Sequence, residues 1–125
     1  MRFIDSPAAL PAEALVLDNT TDVLTQAAAL EGRQAVVLNF PKWTDGRAYS
    51  QATLLRSRLK FQGDLIAAGD VLVDMLPLLQ RCGFSAVQLR ADQNLDSARR
   101  ALGFFDRHYQ TVPPERGAPT AGAAA

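Results

Sequence analysis

The sequence predicts an α/β fold, four β-α units whose strands form a mainly parallel sheet flanked by helices. Short apolar runs bounded by turn residues alternate along the chain with stretches of 3.6-residue apolar period. The run Val36-Val37-Leu38 is unbroken, as in a strand of a parallel sheet buried on both faces. The connections are short, which suits right-handed crossovers between neighbouring parallel strands.

Taken in order, Met1–Glu13 carries Pro7 and Pro11 and reads as an irregular lead-in, and 14–112 as the single α/β domain. Ala14–Leu17 is too short for a helix and reads as the first strand. Thr20 or Thr21 is placed to cap a helix with Val23, Leu24, Ala27, Ala28 and Leu30 on one face, and Gly32 suits the position past its end. Ala35–Asn39 is the clearest strand. Ala48, Ala52, Leu55 and Leu59 form the stripe of a second helix, and Asp64–Ala68 a third strand. Asp70 is expected to cap a third helix bearing Leu72, Met75, Leu76, Leu79 and Cys82. Pro77 either kinks that helix or marks a later start, and Gly83 ends it. Ala86–Leu89 reads as the fourth strand. Asn94 or Asp92 caps a last helix with Leu95, Ala98, Leu102, Phe105 and Tyr109 on one face, stopped at Val112-Pro113-Pro114. The tail, 113–125, is low in complexity and is expected to be disordered. Two closures fit these units: a doubly wound, flavodoxin-like open sheet, or a half-barrel-like arrangement. Four strands cannot close an eight-stranded barrel, so an open sheet, or a homodimer that covers its edge, is expected.

Composition bounds the function. Thirteen basic residues balance thirteen acidic ones, so no general attraction to nucleic acid or an anionic membrane is expected. The opening MRFIDSPAALP lacks an apolar h-region, and the compartment reads as cytoplasmic. One cysteine, Cys82, and one histidine, His108, argue against an internal disulfide and a structural zinc site. No glycine-rich phosphate loop, nucleophile elbow or paired-cysteine motif occurs, so no cofactor or metal is expected.

In parallel α/β architectures ligands gather at the carboxyl ends of the strands. Here those tips are Asp18-Asn19, the loop Phe40–Ser50, Gly69-Asp70 and Arg90–Asn94. The candidate ligand- or partner-binding residues are Lys42, Trp43, Asp45, Arg47, Tyr49, Ser50, Asp70 and Arg90. Arg47 offers a planar fork and Lys42 a point charge to an anion, and Trp43 and Tyr49 can wall a ligand or a partner surface. A structural reading stands beside this one: Asp45 and Arg47 pair with each other, Trp43 closes the sheet edge and Asp70 only caps a helix. Cys82 reads as inert core and His108 as lying far from the tips.

The segment Phe40–Asp92 resembles the signature of a bacterial family of unknown function. The motifs FPKxTDGR (Phe40–Arg47) and GDVLxDxLxxLxRCGF (Gly69–Phe84) carry the resemblance, which extends over about Ala35–Gln110. The family's pattern highlights Phe40, Pro41, Lys42, Asp45, Gly46, Arg47, Tyr49 and Ser50, then Gly69, Asp70, Arg81, Cys82, Gly83 and Phe84. This chain departs from it at Asn39, where an acidic residue is usual, at Ala48, where glycine is usual, at Pro77 within the third helix, and in a short N-terminus. Members of the family are commonly encoded beside sulfite reductase and other enzymes of assimilatory sulfate reduction, and some carry the label oxidoreductase. The resemblance therefore implies an accessory protein of sulfite reduction, docking a redox partner or an anion through the strand-tip loop. The rival expectations are a small oxyanion-binding enzyme or oxidoreductase of sulfur metabolism, with Asp45 or Asp70 as acid/base, and a purely structural remnant.

Overall fold

The computed structural model describes residues 1–4 and 10–110, the last eight of these by backbone only. The expected tail, and the expected positions of Phe105, His108 and Tyr109 side chains, lie outside the described residues. Five strands form one parallel sheet: β1 (Arg2–Phe3), β2 (Leu15–Leu17), β3 (Ala35–Phe40), β4 (Asp64–Gly69) and β5 (Ala86–Val87), in the order β1-β5-β4-β3-β2. Among the described residues four α-helices accompany them: α1 (Ala27–Leu30), α2 (Arg47–Ser57), α3 (Leu76–Cys82) and α4 (Leu95–Gln110).

The lead-in, expected to be irregular, contributes one strand. Arg2 and Phe3 pair with Ala86 and Val87 of β5, and the Arg2 guanidinium reaches past β5 to Asp64 at 2.5 Å. A two-residue strand has no periodicity of its own, so nothing local announces it.

From β2 to β5 each strand lies beside its successor, and all the steps run in one direction. Right-handed crossovers then place every helix on the same face of the sheet. The core agrees: Leu17, Leu38, Ala67 and Val87 share one register row, and Val36 and Leu65 another, all packed with Leu30 of α1, Leu55 of α2, Leu79 of α3 and Ala98 of α4. Among the described residues the sheet is open at both edges, and its winding is that of a half-barrel rather than of a doubly wound layer. The alternate row, Val37, Ile66 and Ala86, is also buried, and among the described residues Ile4, Leu10 and Ala14 pack on it. The unbroken Val36-Val37-Leu38 run thus reports two covered faces. Fully burying one Val, Leu or Ile side chain of these rows contributes about 1.5–3 kcal/mol.

Local boundaries differ where backbone chemistry overrides apolar period. The first expected helix breaks into a 3₁₀ turn, Val23–Thr25, and the single turn α1. Its cap is Asp22, whose Oδ1 accepts the Leu24 N–H at 3.1 Å, in place of Thr20 or Thr21. Gly32 follows α1 at φ +76°, as expected of a residue just past a helix end. Pro77 does not kink α3, because α3 begins at Leu76 and proline occupies its first turn, where a missing N–H costs nothing. A 3₁₀ turn, Val73–Met75, leads into α3 with Leu72 at its cap position, so Asp70 caps neither. Asn94 does cap α4, accepting the Ser97 N–H at 2.9 Å.

At the amino end of the sheet, Arg56 of α2 donates to the carbonyl oxygens of Phe61 (2.9 Å), Gly63 (2.7 Å) and Gly83 (2.8 Å). Its guanidinium thereby ties the turns that enter β4 and β5.

Candidate functional site

Because the strands are parallel, their carboxyl ends share one edge, and that edge collects the loops after β2, β3, β4 and β5. Lys42, Trp43, Asp45, Arg47, Asp70 and Arg90 all lie there. Tyr49 and Ser50 lie on α2 just behind. The Tyr49 ring packs edge-on against Phe40, with centroids 5.2 Å apart, and burial pushes its phenol pKa up. Tyr49 therefore supports the loop from the core side. Ser50 is exposed.

Two carboxylates organise the tips. Asp45, two residues before α2, accepts the Arg47 backbone N–H at 3.0 Å and holds the Arg47 guanidinium through Nε at 3.1 Å and Nη2 at 2.8 Å. Behind it, Asn19, buried at the tip of β2, donates from Nδ2 to Asp45 Oδ2 at 2.6 Å. The expected pairing of Asp45 with Arg47 is thus present, and Asn19 extends it from the β3 tip to the β2 tip. Asp70, at the tip of β4, accepts the Trp43 backbone N–H at 2.8 Å and the Arg90 Nη1 at 2.7 Å. Arg90 in turn grips Asp92 from Nε (2.7 Å) and Nη2 (2.8 Å). Four successive tips are therefore joined by side chains far apart in sequence.

Trp43 stands out from this frame. Its side chain leaves it 53% exposed, so it does not close the sheet edge. Its main chain is fixed by Asp70, and the turn is closed by the Asp45 N–H donating to Lys42 O at 2.9 Å. Exposed ion pairs add little to stability. Their consequence here is geometric: they hold the loop backbone while its largest side chain faces solvent.

The same contacts set the acidity of the carboxylates. The Arg47 guanidinium holds Asp45 down from 3.8 to about 2, and Arg90 holds Asp92 down to about 2. Arg90, then the Trp43 N–H, lowers Asp70 as well. A carboxylate depressed in the folded state contributes stability above its unfolded value and loses it as pH falls through its folded value. The frame is therefore expected to persist at pH 4 and come apart between about pH 4 and pH 2. Carboxyl-carbon NMR titration checks this, with midpoints near pH 2 expected for Asp45 and Asp92. Midpoints near pH 4 would show that the pairs do not hold in solution.

Asn19, Asp92 and Arg56 were not among the candidate site residues. Asn19 and Asp92 stood at named tips, so their position was visible although their partners, many residues away, were not. Among the described residues no cluster of three or more His, Cys, Asp or Glu side chains could hold a metal ion, and no helix is long and apolar enough to cross a membrane. Neither the comparison with curated proteins nor that with solved structures finds a match. A family model matches residues 14–118, which takes in every strand but β1 and the whole strand-tip frame. The chain belongs to the family described as bacterial protein of unknown function (DUF934).

Proposed function

We propose that the protein is a non-catalytic accessory of assimilatory sulfite reduction, and that it docks sulfite reductase or another enzyme of the pathway through the loop between β3 and α2. The observation that carries docking is Trp43, 53% exposed on a main chain held at 2.8 Å by Asp70. A large aromatic presented on an ordered backbone buries much area on contact and loses little freedom in doing so, the profile of an interface hot spot. The pathway rests on the resemblance of the FPKxTDGR and GDVLxDxLxxLxRCGF segments to proteins commonly encoded beside sulfite reductase.

The rival chemistry is less well supported. A general base works best with a pKa near the working pH, and Asp45, held to about 2, is a very weak one. Asp45 fills the Nε–Nη2 edge of Arg47 and balances its charge, so an oxyanion is left the Nη1–Nη2 end of a guanidinium that is already paired. Arg90 is engaged on both sides by Asp70 and Asp92.

Titration of the purified protein against the sulfite reductase of its own organism tests the reading. Saturable binding is expected, weakened about 30-fold or more by Trp43→Ala and several-fold by Arg47→Ala, with both folds intact by circular dichroism. If the wild type does not bind, docking to that enzyme falls. Sulfite and related anions are then the next titrants, as the oxyanion-binding reading requires.

A further inference from the structure

The outer edge of β5 is filled by the chain's own first strand, and the contacts of that strand show what the edge accepts. We infer that this edge takes an extended segment of a partner protein by strand addition, in competition with β1. The segment carries a basic, an aromatic and an aliphatic residue in succession. This is a second interaction surface, independent of the Trp43 loop.

The pattern is set by how β1 sits. The Arg2 N–H donates to Ser85 O at 2.9 Å and the Ile4 N–H to Val87 O at 2.8 Å, main-chain bonds open to any strand. Side chains alternate between the two faces of a sheet. Arg2, opposite Ala86, pairs with Asp64. Phe3, opposite Val87, packs on the core beneath the helices, and Ile4 packs on the core of the other face. The carboxylate that meets the basic residue is held without β1: Asp64 Oδ1 accepts from Ser85 Oγ at 2.8 Å, and that oxygen accepts the Leu65 N–H at 3.1 Å. Oδ2 is left for a cation, and Arg2 takes it. Arg56, the other guanidinium within reach of the Asp64 charge, is committed to the carbonyls of Phe61, Gly63 and Gly83. The cation therefore has to arrive with the strand.

Little holds β1 in place. It pairs over two residues, where β3 and β4 pair over six. Its ion pair is 62% exposed at Arg2 and 40% at Asp64, and such pairs add little. Met1, Phe3 and Ile4 are only partly buried, whereas Ala86 and Val87 are fully so. A segment with so few buried contacts opens ahead of the core. Once open, it leaves the main chain of β5 unpaired on that side, a template for another strand. The edge lies inside the stretch that the family model matches, and β1 lies outside it.

The test titrates the full chain with a synthetic peptide of residues 1–6, read from the amide signals of Ala86 and Val87. Binding is expected in the wild type and about tenfold tighter in Phe3→Ala, whose own strand competes less. Arg2→Ala, at an exposed side chain, loosens β1 without touching the core and is expected to tighten binding in the same direction. The peptide carrying Arg2→Glu is expected to bind about fivefold more weakly. In the free protein the Ile4 amide is expected to exchange faster than those of Val36 and Leu65. An Ile4 amide as protected as Val36 would overturn the inference, since β1 would then not open. A peptide that shifts neither Ala86 nor Val87 in Arg2→Ala overturns it as well. Equal binding of the Arg2→Glu peptide would overturn the basic position and with it the stated kind of partner.

Discussion

Arg56→Ala is expected to destabilise the fold by about 3 kcal/mol, more than any change of a charged side chain at the strand tips. The guanidinium, half buried against α2, donates to the carbonyls of Phe61, Gly63 and Gly83, with bonds of 2.7–3.0 Å. It also lies 6.0 Å from the centroid of the Phe61 ring. Truncation strands three carbonyl oxygens in turns where the surrounding chain hinders water, and each forfeits a charge-assisted bond. The turns are themselves tightly made. Gly63 passes so close to Gln34 that an added Cβ would lie 2.4 Å from its carbonyl oxygen, and Gly83 sits at φ +106°. They therefore have little room to rearrange towards other donors. Lysine at this position keeps the charge without the fork, reaches at most some of the three oxygens, and is expected to recover less than half of the loss. Arg58, exposed two residues further on, is the control, expected to change stability by less than about 0.5 kcal/mol on truncation. Urea denaturation followed by circular dichroism measures all three. An Arg56→Ala midpoint equal to that of the Arg58 control would show that the clamp contributes nothing.

Arg56 also marks the limit of what could be read from sequence. Apolar period located α2 through Ala48, Ala52 and Leu55, each almost fully buried. Arg56 lies off that stripe, and the period says nothing of where its side chain goes. The arginine folds back over the amino end of the sheet, an arrangement decided by where the turns before β4 and β5 arrive. Strands β3 and β4 were legible because a continuous apolar run carries its own signature. Strand β1 was not, because two residues carry none, and its pairing with β5 depends on contacts more than eighty residues away. The candidate site was legible as a location. Parallel strands must end together, so Asp18-Asn19, Phe40–Ser50, Gly69-Asp70 and Arg90–Asn94 had to converge. Its wiring was not legible: Asp70 looked like a helix cap because a helix pattern follows it. The helical stretch opens as a 3₁₀ turn, Val73–Met75, with Leu72 at its cap position, which leaves the Asp70 carboxylate free to take the Trp43 N–H and Arg90.

That wiring makes Gly69→Ala the second large effect, with an expected loss of about 3 kcal/mol and a fall in melting temperature on the order of 10 °C. Gly69 ends β4 opposite Phe40 with φ at +100°, a conformation that costs any residue with a Cβ. Space opposes the substitution as well. A Cβ there would lie 2.5 Å from the Phe40 carbonyl oxygen and 2.8 Å from Asn39 Oδ1, and the first of these is backbone that cannot swing aside. The Asp70 N–H donates to that same Phe40 carbonyl at 2.8 Å, so relieving the clash pushes the end of β3 away from Asp70. Stability and the proposed docking should therefore fail together in this variant: the strand end that moves is the one from which the Trp43 loop departs, and the residue left behind holds the Trp43 N–H. The comparison that separates the two effects is amide exchange in Gly69→Ala below its melting temperature. Faster exchange at Trp43 and Asp70 than at Leu65 and Val36 would show the tip opening ahead of the core. Uniform acceleration at all four would mean that the glycine serves the sheet alone and that the loop is held by other contacts.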